Sequence, residues 1–306
     1  QGFSPPVAAR AFGYAGVALY ETVAPGFPAY QSLHGQLNGL VALPRPAQDR
    51  PVDWPTAANA ALASMARKLF ANTSPENLAA IQLLEAEWNQ AAAARLDADS
   101  RVRSVRYGQN IAAAIFAWSK TDGGHEGYLR SFLAEYVSPA GRGQWQPTPP
   151  KFQATPLQPS WGENRPFVLA VGDSCAPARP LFYSEAPESA FYQEALEVYT
   201  TGQSLTDEQR AIALFWSDDP GQTVTPPGHS ISIVTQVLKQ ENASLILAAE
   251  AYAKVGIAVA DSFIGCWNAK YQYNLLRPVT YIQQLIDPNW TPLLNTPSFP
   301  EYPSGH

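Results

Sequence analysis

Two stretches near the end of the chain carry residue types that handle anions: WNAKYQYNLLRP, residues 267–278, and FPEYPSGH, residues 299–306. If the first is helical, Lys270 and Arg277 stand seven residues apart and about 20° out of register, on one face. Their Cα atoms are then roughly 10 Å apart along the axis. Trp267 and Asn274 belong to the same stripe. Arg can bind two oxygens at once and Lys supplies a compact charge, so the pair can converge on one anion. An arbitrary Lys/Arg pair is more often a solvated face. The second stretch changes that reading. A Pro303-Ser304-Gly305 turn can present backbone N–H groups and a hydroxyl to an anion, and glycine permits close backbone approach. His306 beside it can act as acid or base near neutral pH. Ser-Gly-His alone is a common tripeptide. Its weight comes from its place behind K-x6-R-P.

In that order, the two stretches resemble the first two of three motifs of the type 2 phosphatidic acid phosphatase superfamily. Within it, the vanadium-dependent haloperoxidase branch is the nearest in character. Trp267 stands three residues before the motif lysine, and Phe299 stands seven before the motif histidine. The opening SPPVAARAFGYAGVALYE and the stretch FWSDDPGQTVTPPGH from Phe215 also resemble members of that branch. The resemblance implies that Lys270, Arg277, Ser304 and the Gly305 N–H bind oxygens of vanadate, or of phosphate in a phosphatase. It makes Lys270 and His306 the catalytic pair, with His306 as the acid–base group, and Trp267 and Phe299 the halide pocket. It further implies vanadate as cofactor, with hydrogen peroxide and halide as partners; in a phosphatase there is no cofactor, and phosphate belongs to the ester substrate.

The third motif, S-R-x5-H, is not found in the 306 residues. SRVRSVRYGQN, from Ser100, lacks the histidine and precedes the other two motifs. The family pattern puts the missing motif, with the histidine that bonds vanadium, some tens of residues beyond His306. The expectation is therefore one helical domain over 1–306 that stops short of that motif. The remaining histidines read more plainly. His229 enters or caps a helix, whereas His34 and His125 are loop or surface residues. None forms a zinc-binding spacing. Asp218-Asp219 before Pro220-Gly221 reads as a turn, and Met65 as core.

The elements that must position these residues are helical. SPPVAARAFGYAGVALYETV has Ser4 as a cap candidate, prolines in its first turn and apolar residues at helical spacing. Further helices are expected at about 55–71, from Ser74-Pro75-Glu76, at about 100–118, from Ser189, from Thr206, at about 229–239 and at about 242–276. A shorter one is expected in GYLRSFLAEYV and a last one in VTYIQQLI. Pro278 should end or kink the long helix. Between Ser138 and about Pro187 the chain is dense in Pro, Gly and Gln. Its Trp145, Phe152, Trp161, Phe167 and Phe182 argue for an ordered coil against the helical core rather than a free linker. The fold class is all-α, a multi-helix bundle of the vanadium haloperoxidase/acid phosphatase type with long Pro-rich coil segments.

Composition agrees with an ordered protein: 46% hydrophobic, 15% charged and a net charge of −6, which gives no reason to expect a nucleic-acid partner. The most apolar stretch, from Ser244, contains Glu250, Lys254 and Asp261 and reads as a core helix rather than a membrane span. Two cysteines are too few for a disulfide framework, and Cys266 reads as a buried thiol. Gln1 is compatible with removal of a leader and a periplasmic or secreted, soluble protein; a homo-oligomer is compatible too. Three functions stay open: a vanadate-dependent haloperoxidase, a soluble acid phosphatase on the same cage, and a non-catalytic anion-binding protein.

Overall fold

Small polar caps and early prolines open most of the helices. The computed structural model describes residues 3–47 and 49–306. Its α-helices are α1 (Pro5–Val23), α2 (Trp54–Leu69), α3 (Pro75–Ala93), α4 (Ala98–Ser119), α5 (Ala190–Gln203), α6 (Asp207–Trp216), α7 (Thr225–Gln240), α8 (Leu245–Tyr273) and α9 (Pro278–Leu285). Among the described residues there are isolated bridges but no extended strands, so the all-α reading holds. Asp53, Ser74, Asp97, Ser189 and Thr206 each accept a backbone N–H three residues ahead, the usual satisfaction of an orphan helix donor. Thr206 and Gln209 complete a reciprocal capping box. Ser4 occupies the cap position of α1, but its hydroxyl makes no cap bond.

Some expectations need correction. GYLRSFLAEYV forms only a short turn at Gly127–Leu129. Beyond it the chain is tied down as coil, with the Ser131 carbonyl accepting from the Gln158 N–H and Phe132 bridged to Leu157. α7 begins at Thr225, so His229 lies inside it rather than opening it. In the Pro-rich stretch Trp145, Trp161 and Phe167 are buried, whereas Phe152 and Phe182 are exposed.

The packing divides the chain into two compact units. The first holds the residues up to Tyr128, Asn164–Ala170 and Val224–Ser262; the second holds Leu129–Glu163, Val171–Thr223 and Phe263–His306. In the first, α2 and α4 approach so closely that a Cβ on Gly108 would stand 2.0 Å from the Ala57 carbonyl oxygen. Met65, Ile111 and Ile115 fill the interior around them. Arg10 and Asp122 form a buried pair at 2.7 Å, and Tyr14 donates to the same carboxylate at 2.9 Å. In the second unit, Ala195 of α5 packs with Val279, Tyr281 and Ile282 of α9 and with Trp290. Among the described residues no helix is long and apolar enough to cross a membrane.

One carboxylate organises the part of the coil that belongs to the first unit. Asp261, buried on α8, accepts the backbone N–H groups of Phe167 at 2.6 Å, Val168 at 2.8 Å and Leu169 at 3.1 Å. Such a cluster of charge-assisted bonds replaces backbone pairing that a coil cannot make for itself. Replacing Asp261 with Ala should cost about 3 kcal/mol, since it strands these donors. Urea unfolding of Asp261→Ala and Asp261→Asn would check this, with Asn expected to lose less because its amide oxygen still accepts.

Candidate functional site

The local chain path at the end of α8 decides the geometry. Asn274 takes a left-handed backbone at φ 46° after its N–H closes on the Lys270 carbonyl. Its own carbonyl then accepts from the Trp145 N–H at 2.8 Å, and the Leu276 N–H donates to Gly143 at 3.0 Å. The backbone has left the helix to pair with coil. Pro278 disfavours a helical Arg277, and Arg277 is extended, at φ −79° and ψ 147°, capping α9. The expectation that Lys270 and Arg277 share one helical face is therefore corrected. Lys270 is on α8 and Arg277 lies beyond its end. They still meet, because both reach the segment 297–303.

Lys270 is only 1% exposed, and its ammonium donates to the carbonyl oxygens of Pro300 and Glu301, each at 2.9 Å, and of Pro303. Arg277, also buried, donates from Nε to the Phe299 carbonyl at 2.7 Å, from Nη1 to Glu301 Oε2 at 2.6 Å and from Nη2 to the Pro297 carbonyl at 3.3 Å. The Phe299 ring serves both cations. Its centroid is 4.9 Å from Lys270 Nζ and 4.6 Å from the Arg277 guanidinium carbon, a favourable charge–quadrupole contact. Trp267 packs on the same ring at 5.1 Å and fixes itself by donating from Nε1 to the Leu157 carbonyl.

The Ser304-Gly305-His306 turn lies alongside. Gly305 is against the Trp267 indole, where a Cβ would sit 3.6 Å from its edge. The His306 N–H donates to Ser304 Oγ at 3.3 Å, and the exposed His306 ring places Nε2 3.2 Å from the Ser217 carbonyl. That contact draws the FWSDDPG stretch into the site; its Asp219 carbonyl closes a turn, as expected for an acidic pair before Pro-Gly. Four participants escaped the sequence reading: Glu301, Ser217, Leu157 and Cys266, whose thiol points at the Ser304 and Pro303 carbonyls at 3.5 and 3.8 Å. Burial raises the Cys266 thiol and keeps it protonated. Only Glu301 left a usable signal, a carboxylate inside FPEYPSGH. Ser217 and Leu157 act through backbone carbonyls, which no residue type advertises, and Cys266 reads from sequence only as a buried thiol.

The donor types suit a tetrahedral oxyanion. A guanidinium has five N–H donors and three contacts are made, so Arg277 keeps capacity, as do the Ser304 hydroxyl and the Gly305 N–H. Lys270 has donated its three hydrogens and would take an oxygen only by exchanging a carbonyl. Burial, and after it the Arg277 guanidinium, pulls the Lys270 ammonium down to about 8.

Comparison with known proteins places this architecture. Residues 250–306 match the family model of the VCPO second helical-bundle domain. A crystal structure of a bacterial vanadium-dependent iodoperoxidase is 36% identical and superposes with a TM-score of 0.89, covering 99% of this chain and 72% of that one. The chain belongs to the vanadium haloperoxidase family. Vanadium chloroperoxidase of Curvularia inaequalis is 26% identical over 252 residues, 68% of this chain. The chain spans 41% of that curated relative's length. An apo-type bacterial vanadium-dependent chloroperoxidase, 17% identical with a TM-score of 0.73, shares the fold, covering all of this chain and 75% of that one.

The lowered Lys270 ammonium has a measurable consequence. The folded chain releases this proton from about pH 8 upward, whereas the unfolded chain holds it to the ordinary lysine range. The energetic penalty of keeping this group charged is therefore relieved, and its contribution to stability rises, across that window. Titration of 13Cε-labelled lysines should show one midpoint near 8 that moves up in Arg277→Gln. A set of lysines that all titrate normally would contradict the burial argument.

Proposed function

We propose that this chain provides the oxyanion cage of a vanadate-dependent haloperoxidase that oxidises halide with hydrogen peroxide. The observation that carries the reading is the convergence of two buried cations on the turn that leads into Ser304-Gly305-His306. The bacterial iodoperoxidase, similar over nearly the whole of this chain, supports the choice of chemistry.

The residues divide the work by their donors. Arg277 would hold the oxyanion through the guanidinium N–H groups that its three contacts leave over. Ser304 and the Gly305 N–H supply directed neutral donors. Lys270 adds a compact charge once one carbonyl has been exchanged. A carbonyl can only accept, so the Ser217 contact puts the proton of the neutral His306 ring on Nε2 and leaves Nδ1 free to take a proton. Trp267 and Phe299 pack ring against ring and would offer a weakly hydrated halide an apolar aromatic side. Vanadate, when bound, supplies Lewis-acid activation of peroxide without a change in its own oxidation state.

The test is halide oxidation with vanadate and peroxide, run beside phosphate-ester hydrolysis on a protein in which this chain is accompanied by the S-R-x5-H motif. Vanadate-dependent oxidation without ester turnover is expected. Ester turnover with no halide oxidation would replace the proposal with a phosphatase on the same donors, and inactivity in both assays would leave an anion-binding protein. Arg277→Ala should weaken vanadate binding on the order of 100-fold, as loss of several charge-assisted bonds requires. Arg210→Ala, on the exposed surface of α6, should leave it unchanged. Equal effects of the two substitutions in calorimetry would remove Arg277 from the cage.

A further inference from the structure

Glu301 occupies a place that the cage chemistry does not require. Its side chain, about one-third exposed, holds Arg277 Nη1 at 2.6 Å, while its backbone carbonyl accepts from Lys270 and its N–H donates to the Leu275 carbonyl. The backbone of Glu301 is thus pinned from two sides, and its carboxylate is delivered to the guanidinium that would bind an oxyanion. Two cations buried against one phenyl ring repel each other, and a carboxylate between chain and cage offsets that repulsion when no anion is there. The same carboxylate must compete with any incoming oxyanion for Arg277 and repel it directly.

Resting on the reading of Lys270 and Arg277 as oxyanion ligands, we propose that Glu301 is a built-in competing anion that sets the charge preference of the site. Among the three side chains in contact, Lys270 and Arg277 with Glu301 leave one net positive charge and without Glu301 they leave two, the His306 ring being common to both forms. One positive charge matches a singly charged tetrahedral oxyanion. A doubly charged one leaves an excess negative charge beside the Glu301 carboxylate, which repels it. Glu301 therefore selects monoanionic over dianionic ligands and keeps Arg277 ordered between binding events.

Calorimetric titration of the chain, wild type and Glu301→Gln, with inorganic phosphate and with sulfate at mildly acid pH tests this without any enzymatic turnover. Under those conditions phosphate is a monoanion and sulfate a dianion. Wild type should prefer phosphate. Glu301→Gln keeps the length and an acceptor, and should bind sulfate about tenfold more tightly than wild type does, with a smaller gain for phosphate. Equal gains, no gain or weaker binding of both ions would overturn the proposal and make Glu301 an organiser of Arg277 instead. Should Glu301→Gln not fold, the wild-type protein still decides: the Glu301 side-chain 13C resonance should shift as phosphate saturates the site, and an unmoved resonance counts against competition. Halide oxidation is not part of either readout. Absence of that activity alongside the expected sulfate gain would remove the haloperoxidase reading and leave Glu301's role standing.

Discussion

The second unit is organised by two buried cations that must find oxygen. An ammonium and a guanidinium taken out of water carry a desolvation cost that only hydrogen bonds and opposite charge can offset. Here the chain supplies both from one segment. Five backbone carbonyls between Pro297 and Pro303 and the Glu301 carboxylate face Lys270 and Arg277, with the Glu301 carbonyl and carboxylate each contributing. The segment would have no reason to fold into this shape without the cations, and the cations could not remain buried without the segment. Around that mutual dependence the aromatic rings of Trp267 and Phe299 pack against each other and against the cations.

This arrangement explains why the end of α8 matters more than its length. A helix continued through 277 would have spread the cations along an axis. The left-handed Asn274 instead turns the chain into the coil at 143–145, and Pro278 holds Arg277 extended so that its side chain folds back over Phe299. Strain in the backbone at one residue is exchanged for convergence of two charges. The long Pro-rich coil has a structural part in this. It supplies the Gly143 carbonyl and the Trp145 N–H that pair with the outgoing chain, and the Leu157 carbonyl that orients both Trp267 and Tyr271.

Much of the fold was legible because helices announce their beginnings. Ser74, Ser189 and Thr206 each mark a start that the structure repeats to within a residue. Ends were less legible: the expected helix through Leu276 stops at Tyr273, because a tertiary pairing with Gly143 and Trp145 wins over local propensity. GYLRSFLAEYV failed for the same reason, its helical pattern being overridden by pairing with 157–158. In the site, Lys270, Arg277 and Trp267 were readable from type and spacing and Phe299 from the family resemblance, and the four do cluster. The reason given for their convergence, a shared helical face, was not the one at work. Ser217 and Leu157 act through carbonyls and were invisible to any reading of side chains.

The central claim is that these residues form one cage for a tetrahedral oxyanion. The most direct measurement is the 51V resonance of dilute vanadate titrated with the protein. The account predicts that the signal broadens and disappears in proportion to protein, and that added phosphate restores it by competing for the same donors. A sharp vanadate signal that the protein leaves unchanged, or a bound signal that phosphate cannot displace, would contradict the account.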